Sequence, residues 1–246
     1  MIRAFVFDLD GTLVASELLK ARSYARAVRD FDAGVSEEAV FSAYRDVVGL
    51  ARETVARHMV ERFGLEGVLD AAAPAKGGSE PWEILVAVRL AHYDELLSDD
   101  EFIRANRHPC ALDLLKAARR SACRLALVTT SDRKRALRVL QALGIETAFA
   151  VIVTADDVER TKPDPEGYFR AFEMLGVDGH ECLALEDSPA GIRAASAAGA
   201  FVVAVPTDFT RRHVLEMAML DPRWVVDSPS DLPAVVERAL AEARAG

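Results

Sequence analysis

Two aspartates stand one residue apart near the start of the sequence, directly after a run of apolar residues. Residues 5–14 read FVFDLDGTLV, so Asp8 and Asp10 are separated by one leucine and Gly11 follows them. A carboxylate at the end of a buried strand is costly unless something at that position needs it. The pair therefore indicates a functional site, although an ordinary strand that ends in an Asp-Gly turn explains residues 8–11 equally well when they are taken alone.

Polar side chains follow the later apolar runs in the same way. Including the first pair, they are Asp8, Asp10, Thr129, Thr130, Ser131, Lys162, Glu186 and Asp187. Ligands of open α/β sheets bind outside the carboxyl ends of the strands, so we expect these side chains to converge at one edge of a sheet. Four carboxylates, three hydroxyls and one ammonium group are the composition of a metal and phosphate site.

Short apolar runs predict the strands of that sheet. They are residues 4–7, 125–128, 149–153, 183–185 and 201–205. Runs that are apolar throughout suit strands buried on both faces, as in parallel sheets. Between the later runs, residues 132–143, 165–175 and 189–198 have a helical period, and each stretch is followed by a glycine. This alternation predicts an α/β fold with a doubly wound parallel sheet.

A long helical segment interrupts the alternation after the first strand. Residues 16–105 are almost entirely helical in pattern, with candidate breaks at residues 32–34 and 71–81. We interpret them as an inserted α-helical cap domain. Residues 1–15 and 106–246 then form the α/β core domain.

Composition and charge narrow the class of protein. The chain has 246 residues, of which 51% are hydrophobic, and a formal net charge of -9, which disfavours a nucleic acid or a membrane surface as partner. No run approaches the roughly 18 apolar residues of a membrane span. Three widely spaced cysteines without a signal segment are typical of a reduced cytosolic protein. We expect a soluble cytoplasmic protein, and the sequence leaves open whether it is a monomer or a homodimer.

Four motifs in order now identify a family resemblance. The stretches FDLDGTL, VTTS, TKPDP and LEDSPAG resemble the motifs of the haloacid dehalogenase superfamily. Their order, their placement at strand ends and the helical insertion after the first motif all match that superfamily. Over essentially the whole chain, the sequence resembles the branch that contains β-phosphoglucomutase and phosphoglycolate phosphatase. One such motif is a weak signal, but four in order are a specific one.

The resemblance implies roles for the residues that would carry the reaction. Asp8 would be the nucleophile and form an aspartyl-phosphate, and Asp10 would act as general acid and base. Thr129 and Lys162 would hold the transferring phosphoryl group. Gly11, Thr12, Thr130 and Ser131 would complete the phosphate site. The alternatives are an N-cap role for Ser131 and an ordinary solvated lysine at position 162.

The resemblance also implies a divalent cation, Mg²⁺, as cofactor. Its ligands would be Asp8, the carbonyl of Asp10, Glu186 and Asp187, because Mg²⁺ prefers a few carboxylates together with water and substrate oxygens. The alternative is a helix N-terminus at which Ser188 or Asp187 serves only as the cap. Such capping does not account for Glu186 beside it.

In the insertion, the resemblance points to substrate-recognition residues. The stretch VVGLARETV at residues 47–55 resembles the cap loop of the β-phosphoglucomutase branch, where Gly49 would permit close approach and Arg52 would reach a distal phosphate or polar group. For Lys20 and Arg89 we favour a solvated helix face over a cationic role. The chain departs from the branch at Ala15, where many relatives have aspartate, and at Lys20, where the mutase has histidine.

We therefore expect a Mg²⁺-dependent phosphatase that hydrolyses a small phosphorylated metabolite, either a sugar phosphate or an organic-acid phosphate. A phosphomutase of the β-phosphoglucomutase type is the nearest alternative, and the absence of histidine at position 20 favours hydrolysis over it. A non-catalytic sensor of a phosphate ligand is the alternative from another class. The intact set of candidate catalytic residues disfavours that sensor.

Overall fold

Five parallel strands form one sheet in the structure, which is a computed structural model that describes residues 1–50, 52–76 and 80–245. The strands are β1 (Ala4–Phe7), β2 (Arg124–Val128), β3 (Val151–Val153), β4 (Cys182–Glu186) and β5 (Phe201–Ala204). Their order across the sheet is β3-β2-β1-β4-β5, and every neighbouring pair is parallel. The predicted doubly wound α/β fold is confirmed, and β1 lies at its centre.

Helices connect the strands and fill the segment after β1. In chain order they are α1 (Ser16–Phe31), α2 (Glu37–Val47), α3 (Arg52–Phe63), α4 (Glu66–Lys76), α5 (Pro81–Ser98), α6 (Asp100–Ala105), α7 (Pro109–Arg120), α8 (Arg133–Leu143), α9 (Glu166–Leu175), α10 (Pro189–Ala197), α11 (Arg211–Met217) and α12 (Leu232–Ala245). Within the described part of the chain, none of these helices is both long enough and apolar enough to cross a membrane.

Glycine ends two of the predicted helices by adopting a left-handed backbone. Gly144 has a φ of 67° and its amide donates to carbonyls at the end of α8, and Gly176 has a φ of 64° and does the same at the end of α9. An L-residue with a side chain rarely adopts this conformation, so glycine at the position after a helix stops it cleanly. The three helices predicted between the later strands are confirmed.

Two predictions about element boundaries are wrong. The loop predicted at residues 71–81 is helical as far as Lys76, because three consecutive alanines favour continuation of α4, and α5 already begins at Pro81. Residues 77–79 of that segment lie outside the described part. The strand predicted at residues 149–153 covers only Val151–Val153, since a 3-10 turn occupies Glu146–Ala148 and delays the extended backbone.

The sheet is buried on both faces, which accounts for its uniformly apolar strands. All four residues of β1 and all five of β4 are buried, and side chains of α9 and α10 pack against one face. Buried apolar surface contributes about 25 cal/mol per Å² to folding, so these short strands are stabilised mainly by the helices that cover them.

By its internal contacts the chain divides into two units. The core unit comprises Met1–Ala15 and Ile103–Gly246, and the inserted unit comprises Ser16–Phe102. The sequence interpretation assigned residues 103–105 to the insertion, and the domain assignment itself stays a prediction. Within the core unit the two connecting segments are joined by backbone hydrogen bonds, from Ala15 to Asn106 at 2.8 Å and from His108 to Leu13 at 2.9 Å.

Candidate active site

Asp8 lies at the carboxyl end of the central strand. Its amide donates to the carbonyl of Leu185 on the neighbouring strand at 3.0 Å, which extends the β1–β4 pairing by one residue. Its side chain is buried, and Oδ1 accepts a hydrogen bond from Lys162 Nζ at 2.6 Å. Oδ2 has no hydrogen-bond partner among the described residues. One carboxylate oxygen is thus fixed and the other is available for chemistry.

Lys162 joins the ends of three strands. Besides Asp8, its ammonium group donates to Glu186 Oε1 at 2.5 Å and to the carbonyl of Val128 at 2.8 Å. The side chain is 6% exposed. The alternative of an ordinary solvated lysine is therefore wrong.

The Asp10 carboxylate lies against two hydroxyls at the end of β2. Its Oδ2 accepts from Thr129 Oγ1 at 3.1 Å and from Ser131 Oγ at 2.6 Å. The N-cap of α8 is Asp132, whose side chain accepts from the amide of Arg135. The N-cap alternative for Ser131 is therefore wrong, and its hydroxyl belongs to this cluster. Thr130 is exposed, and no side-chain hydrogen bond is found for it within the described ranges.

Three carboxylates come together beside Lys162. Asp8, Glu186 and Asp187 each offer an oxygen, and these three oxygens lie within 4.8 Å of one another. Ser188, whose hydroxyl accepts from the Gly191 amide at 3.2 Å, is the N-cap of α10. Because Ser188 supplies the cap, capping does not account for the acidic pair that precedes it.

Burial and charge act in opposite directions on these groups. Burial raises the pKa of the Asp8 carboxyl well above its usual range, the Glu186 and Asp10 carboxylates raise it further, and the Lys162 ammonium lowers it. Burial lowers the pKa of Lys162, but the carboxylates of Asp8 and Glu186 outweigh burial and raise it. Lys162 is therefore charged, and one ammonium is too little positive charge for the acidic groups around it.

These residues fit a divalent cation. Oδ2 of Asp8 and Oε2 of Glu186 are buried oxygens without a hydrogen-bond partner among the described residues, although buried acceptors are ordinarily satisfied. All three groups of the cluster offer the hard oxygen ligands that Mg²⁺ prefers. A dication would supply the positive charge that the cluster lacks.

The residues directly after Asp10 form a tight turn. Gly11 has a φ of 88°, and its amide donates to the carbonyl of Val14 at 2.8 Å. A residue with a side chain would be strained at this φ. Thr12 is buried, and its hydroxyl has no partner within the described part of the chain. Both residues lie on the segment that follows the two aspartates.

Two residues that contact Glu186 were missed by the sequence interpretation. The Tyr168 hydroxyl, on α9, donates a short hydrogen bond to Glu186 Oε1. A Cβ atom built on Gly191, in the first turn of α10, would overlap the Glu186 carboxylate. The one signal in the sequence is position: Tyr168 lies on the helix that follows the TKPDP stretch, and Gly191 is the last residue of the LEDSPAG stretch, although no role was expected for it.

The inserted unit carries a cationic group of its own. Arg89 on α5 is 5% exposed and lies between the rings of Tyr24 and Tyr93, with its guanidinium carbon 5.1 Å and 4.6 Å from their centroids. No carboxylate within the described ranges forms an ion pair with it. The solvated helix face favoured for Arg89 is therefore wrong.

Two further cations act on the same tyrosine. Burial raises the pKa of Tyr24, and the positive charges of Arg89, Arg52 and Lys20 lower it. Arg52 is exposed at the start of α3. Lys20 Nζ lies 3.9 Å from Glu17 Oε1, and its side chain is 23% exposed, so the solvated face favoured for Lys20 stays a prediction. Gly49, which precedes α3, has a φ of 83°.

Comparison with known proteins identifies the family of the chain. The family model for haloacid dehalogenase-like hydrolases matches residues 2–199. A validoxylamine A 7'-phosphate phosphatase from Streptomyces hygroscopicus subsp. limoneus is 31% identical, over 94% of this chain and all of its own length. A phosphoglycolate phosphatase from Rhodospirillum rubrum is 29% identical, over 89% of this chain and 86% of its own.

A solved structure extends the similarity to the whole fold. A variant of CbbY from Rhodobacter sphaeroides, crystallised with xylulose-1,5-bisphosphate, superposes with a TM-score of 0.70 at 26% identity and covers 94% of this chain and 96% of its own. The matched segment contains both aspartates of the first motif, Lys162, and the acidic pair at the end of β4, which are groups that lie at the sheet edge. The chain therefore belongs to the haloacid dehalogenase-like hydrolase family.

Proposed function

We propose that this hydrolase is a Mg²⁺-dependent phosphatase that cleaves a small phosphorylated metabolite through an aspartyl-phosphate on Asp8. The observation that carries the proposal is the Asp8 carboxylate itself, with one oxygen held by Lys162 and the other without a protein partner beside the acidic cluster. The named phosphatases among the relatives support the same class of reaction, the hydrolysis of a phosphoric monoester.

In the first step, an oxygen of Asp8 bonds to phosphorus while the bond from phosphorus to the leaving oxygen breaks. Asp10, in its protonated form, gives its proton to that leaving oxygen. Lys162 neutralises charge on Asp8 and on the phosphoryl oxygens. The step leaves an aspartyl-phosphate and a free alcohol or acid.

The hydroxyls that hold Asp10 suggest how it becomes available. Thr129 and Ser131 donate to Asp10 in the structure, and the same hydroxyls are the proposed donors to the phosphoryl oxygens. When a phosphoryl group binds, it takes over these donors and releases the Asp10 carboxyl. Asp10 is then free to reach the leaving oxygen.

In the second step, water attacks phosphorus and the bond to Asp8 breaks. Asp10, now a carboxylate, accepts a proton from the attacking water, which restores the starting protonation of both aspartates. Inorganic phosphate is the product. Transfer to a sugar hydroxyl instead of water would make the enzyme a phosphomutase.

Asp8, the Asp10 carbonyl, Glu186 and Asp187 would hold the Mg²⁺ ion. Bound there, the ion would neutralise the negative charge that phosphoryl transfer concentrates on the oxygens around phosphorus. The unpaired Oε2 of Glu186 supports this assignment.

The inserted unit supports a substrate that carries a second anionic or strongly polar group. A buried guanidinium is expensive without a counter-charge, and Arg89 has two tyrosine rings but no carboxylate within the described ranges. We propose that Arg89 and Arg52 recognise this second group, with Gly49 allowing its close approach. Sugar phosphates and organic-acid phosphates with an additional phosphate or carboxylate fit this description.

The test is phosphate release from a panel of sugar phosphates, organic-acid phosphates and bisphosphates, with and without Mg²⁺. We expect release that requires Mg²⁺, with bisphosphates or phosphorylated acids among the best substrates. Conversion of β-glucose 1-phosphate to glucose 6-phosphate without free phosphate would instead establish a mutase. Mg²⁺-dependent binding without turnover of any compound would contradict the proposed reaction and favour a sensor.

A further inference from the structure

Tyr168 is buried in an apolar cluster, yet its hydroxyl reaches the acidic site. The residue is fully buried on α9 among core side chains of the sheet and helices, and its ring lies 6.0 Å from that of Phe172. A hydroxyl in such surroundings is costly unless it has a partner. Its partner is Oε1 of Glu186, a proposed metal ligand.

The Glu186 carboxylate is restrained from two sides. Tyr168 and Lys162 both donate to Oε1, while Oε2 has no hydrogen-bond partner among the described residues. On its other side the carboxylate packs against Gly191, where a side chain would displace it. The carboxylate therefore has little freedom to rotate.

The tyrosine also contacts the lysine that shares this oxygen. Lys162 Nζ lies 5.4 Å from the centroid of the Tyr168 ring, within the range of a cation–π interaction. The ring thus supports the ammonium, and the hydroxyl supports the carboxylate. A phenylalanine at position 168 would keep the contact between the ring and the ammonium and would lose only the hydrogen bond to Glu186.

We propose that Tyr168 is a positioning residue for Mg²⁺ binding: its hydroxyl, with Lys162, holds Glu186 in the orientation that presents the carboxylate to the ion. This inference rests on the proposed metal site. Removal of a residue that hydrogen-bonds to a metal ligand typically lowers metal affinity or activity by about 10- to 100-fold. Tyr168 is such a residue, because its hydroxyl donates to Glu186, a proposed metal ligand.

The test is direct titration of the substrate-free enzyme with Mg²⁺ by isothermal titration calorimetry, for wild type and Tyr168→Phe. We expect the variant to bind Mg²⁺ about 10-fold more weakly or worse, and to recover most of its turnover at saturating Mg²⁺. Tyr44→Phe is the matched control, since it removes a hydroxyl from a buried tyrosine of the inserted unit and leaves Mg²⁺ affinity unchanged.

A double-mutant cycle separates positioning from general loosening of the core. If Tyr168 acts through Glu186, Tyr168→Phe has no additional effect on Mg²⁺ binding in a Glu186→Gln background. Tyr168→Met is a second hydroxyl-free variant, and thermal melting of both variants verifies that they fold.

The outcomes are distinct. Equal Mg²⁺ affinity in wild type and in the folded hydroxyl-free variants would overturn the role of Tyr168 and leave the proposed phosphatase intact. Additive effects in the cycle would likewise overturn it. A wild-type enzyme that does not bind Mg²⁺ would overturn the proposed metal site, and the inference with it.

Discussion

The Asp8 side chain combines two properties that suit the nucleophile we propose it to be. Lys162 fixes one oxygen at 2.6 Å, so the carboxylate is oriented before substrate binds. The other oxygen has no hydrogen-bond partner among the described residues, so the proposed attack on phosphorus would not have to break a protein hydrogen bond first. Pre-orientation of this kind reduces the entropy that the reaction must lose.

Replacement of Asp8 by asparagine tests the nucleophile. The amide is nearly the same size but is a poor nucleophile, so turnover should fall by at least about 1000-fold, as it does when other covalent catalysts lose their nucleophile. Phosphate release measures the loss, and circular dichroism verifies the fold. Asp113→Asn makes the same change on the exposed face of α7 and should retain full activity. Turnover near wild type in Asp8→Asn would contradict the assignment.

Replacement of Gly191 by alanine tests the packing around Glu186. A more favourable helix propensity would stabilise the variant by at most about 1 kcal/mol. Overpacking costs about 1–3 kcal/mol, and Glu186 cannot move aside freely because Lys162 and Tyr168 hold it. We therefore expect lower stability in urea unfolding and weaker Mg²⁺ binding.

Gly67→Ala on α4 is the matched control for that substitution. A Cβ atom there meets nothing within 4 Å, so stability should stay the same or rise slightly. The prediction would be contradicted if Gly191→Ala, like Gly67→Ala, gained stability and kept wild-type Mg²⁺ affinity. The close contact between position 191 and Glu186 would then have no functional consequence.

The placement of residues after strands predicted that Asp8, Asp10, Thr129, Ser131 and Lys162 would lie at one edge of the sheet. The roles proposed for them, and the choice of Lys162 over an ordinary solvated lysine, came from the family resemblance. Tyr168 and Gly191 could not be predicted in this way. A tyrosine and a glycine on buried helix faces are common, and their importance depends on the position of the Glu186 side chain, which sequence spacing does not define.

At the scale of elements, a polar network ties the segment after β3 to the start of α8. Asp157 Oδ2 accepts from the amide and hydroxyl of Thr154 and from Arg133 at 2.6 Å. The Arg133 amide donates in addition to Asp156 at 2.9 Å. Lys162 follows on the same segment. The network therefore helps to position the backbone from which the Lys162 side chain reaches Asp8.

Replacement of Asp157 by asparagine tests this network. Burial raises the pKa of Asp157, but hydrogen bonds from Thr154 and the charge of Arg133 outweigh burial and lower it. The ionised Asp157 carboxylate therefore stabilises the folded protein at pH values above about 3.9, the pKa of an aspartate in the unfolded chain. This stabilisation is lost as the pH falls through the lower pKa that Asp157 has in the folded protein. Because Arg133 is partly exposed, we expect the variant to lose only about 1 kcal/mol at pH 7.

Urea unfolding at pH 7 and pH 3 measures this difference. The gap between wild type and Asp157→Asn should narrow as the wild-type carboxyl becomes protonated. Asp113→Asn, which changes an exposed aspartate, should show little difference at either pH. If wild type and Asp157→Asn differed in free energy of unfolding by the same amount at pH 7 and at pH 3, the ionised Asp157 carboxylate could not be the source of that difference.

Element types were predicted more reliably than element ends. The central strands are apolar throughout. A short apolar run that lies between two helices ended by glycine is typical of a buried strand and has no competing interpretation. The end of α4 was wrong because Pro and Gly near residues 74–78 were weighted above the helix-forming alanines that precede them. The propensities of a few neighbouring residues differ by too little for the sequence to define where such a helix ends.

At the scale of the whole molecule, the net charge has the same sign as the proposed substrate. The chain has a formal net charge of -9, but the proposed substrate is an anion. Long-range attraction therefore does not bring the proposed substrate to the enzyme, and we expect its binding to depend on local cations such as Lys162 and the arginines of the inserted unit. Screening by salt reduces unfavourable long-range repulsion between exposed charges.

Replacement of Arg52 by alanine tests whether the inserted unit selects the substrate. We expect a higher KM, by about 10-fold or more, for substrates with a second anionic group, because a charge-assisted hydrogen bond contributes about 1.5–3 kcal/mol. Small phosphate monoesters without that group should be affected little. Arg45→Ala, on the exposed face of α2, is the control. Equal losses on both kinds of substrate would argue against a role in selection.

The short hydrogen-bonded junction at Ala15 and Asn106 has an evolutionary consequence. It brings the two ends of the insertion together within the core unit, so the insertion need not interrupt the sheet. Insertions whose ends are adjacent disturb a host fold least. Mutation and recombination can therefore diversify residues 16–102 as a separate module, and a lineage can acquire new substrates while it inherits the same phosphate chemistry unchanged.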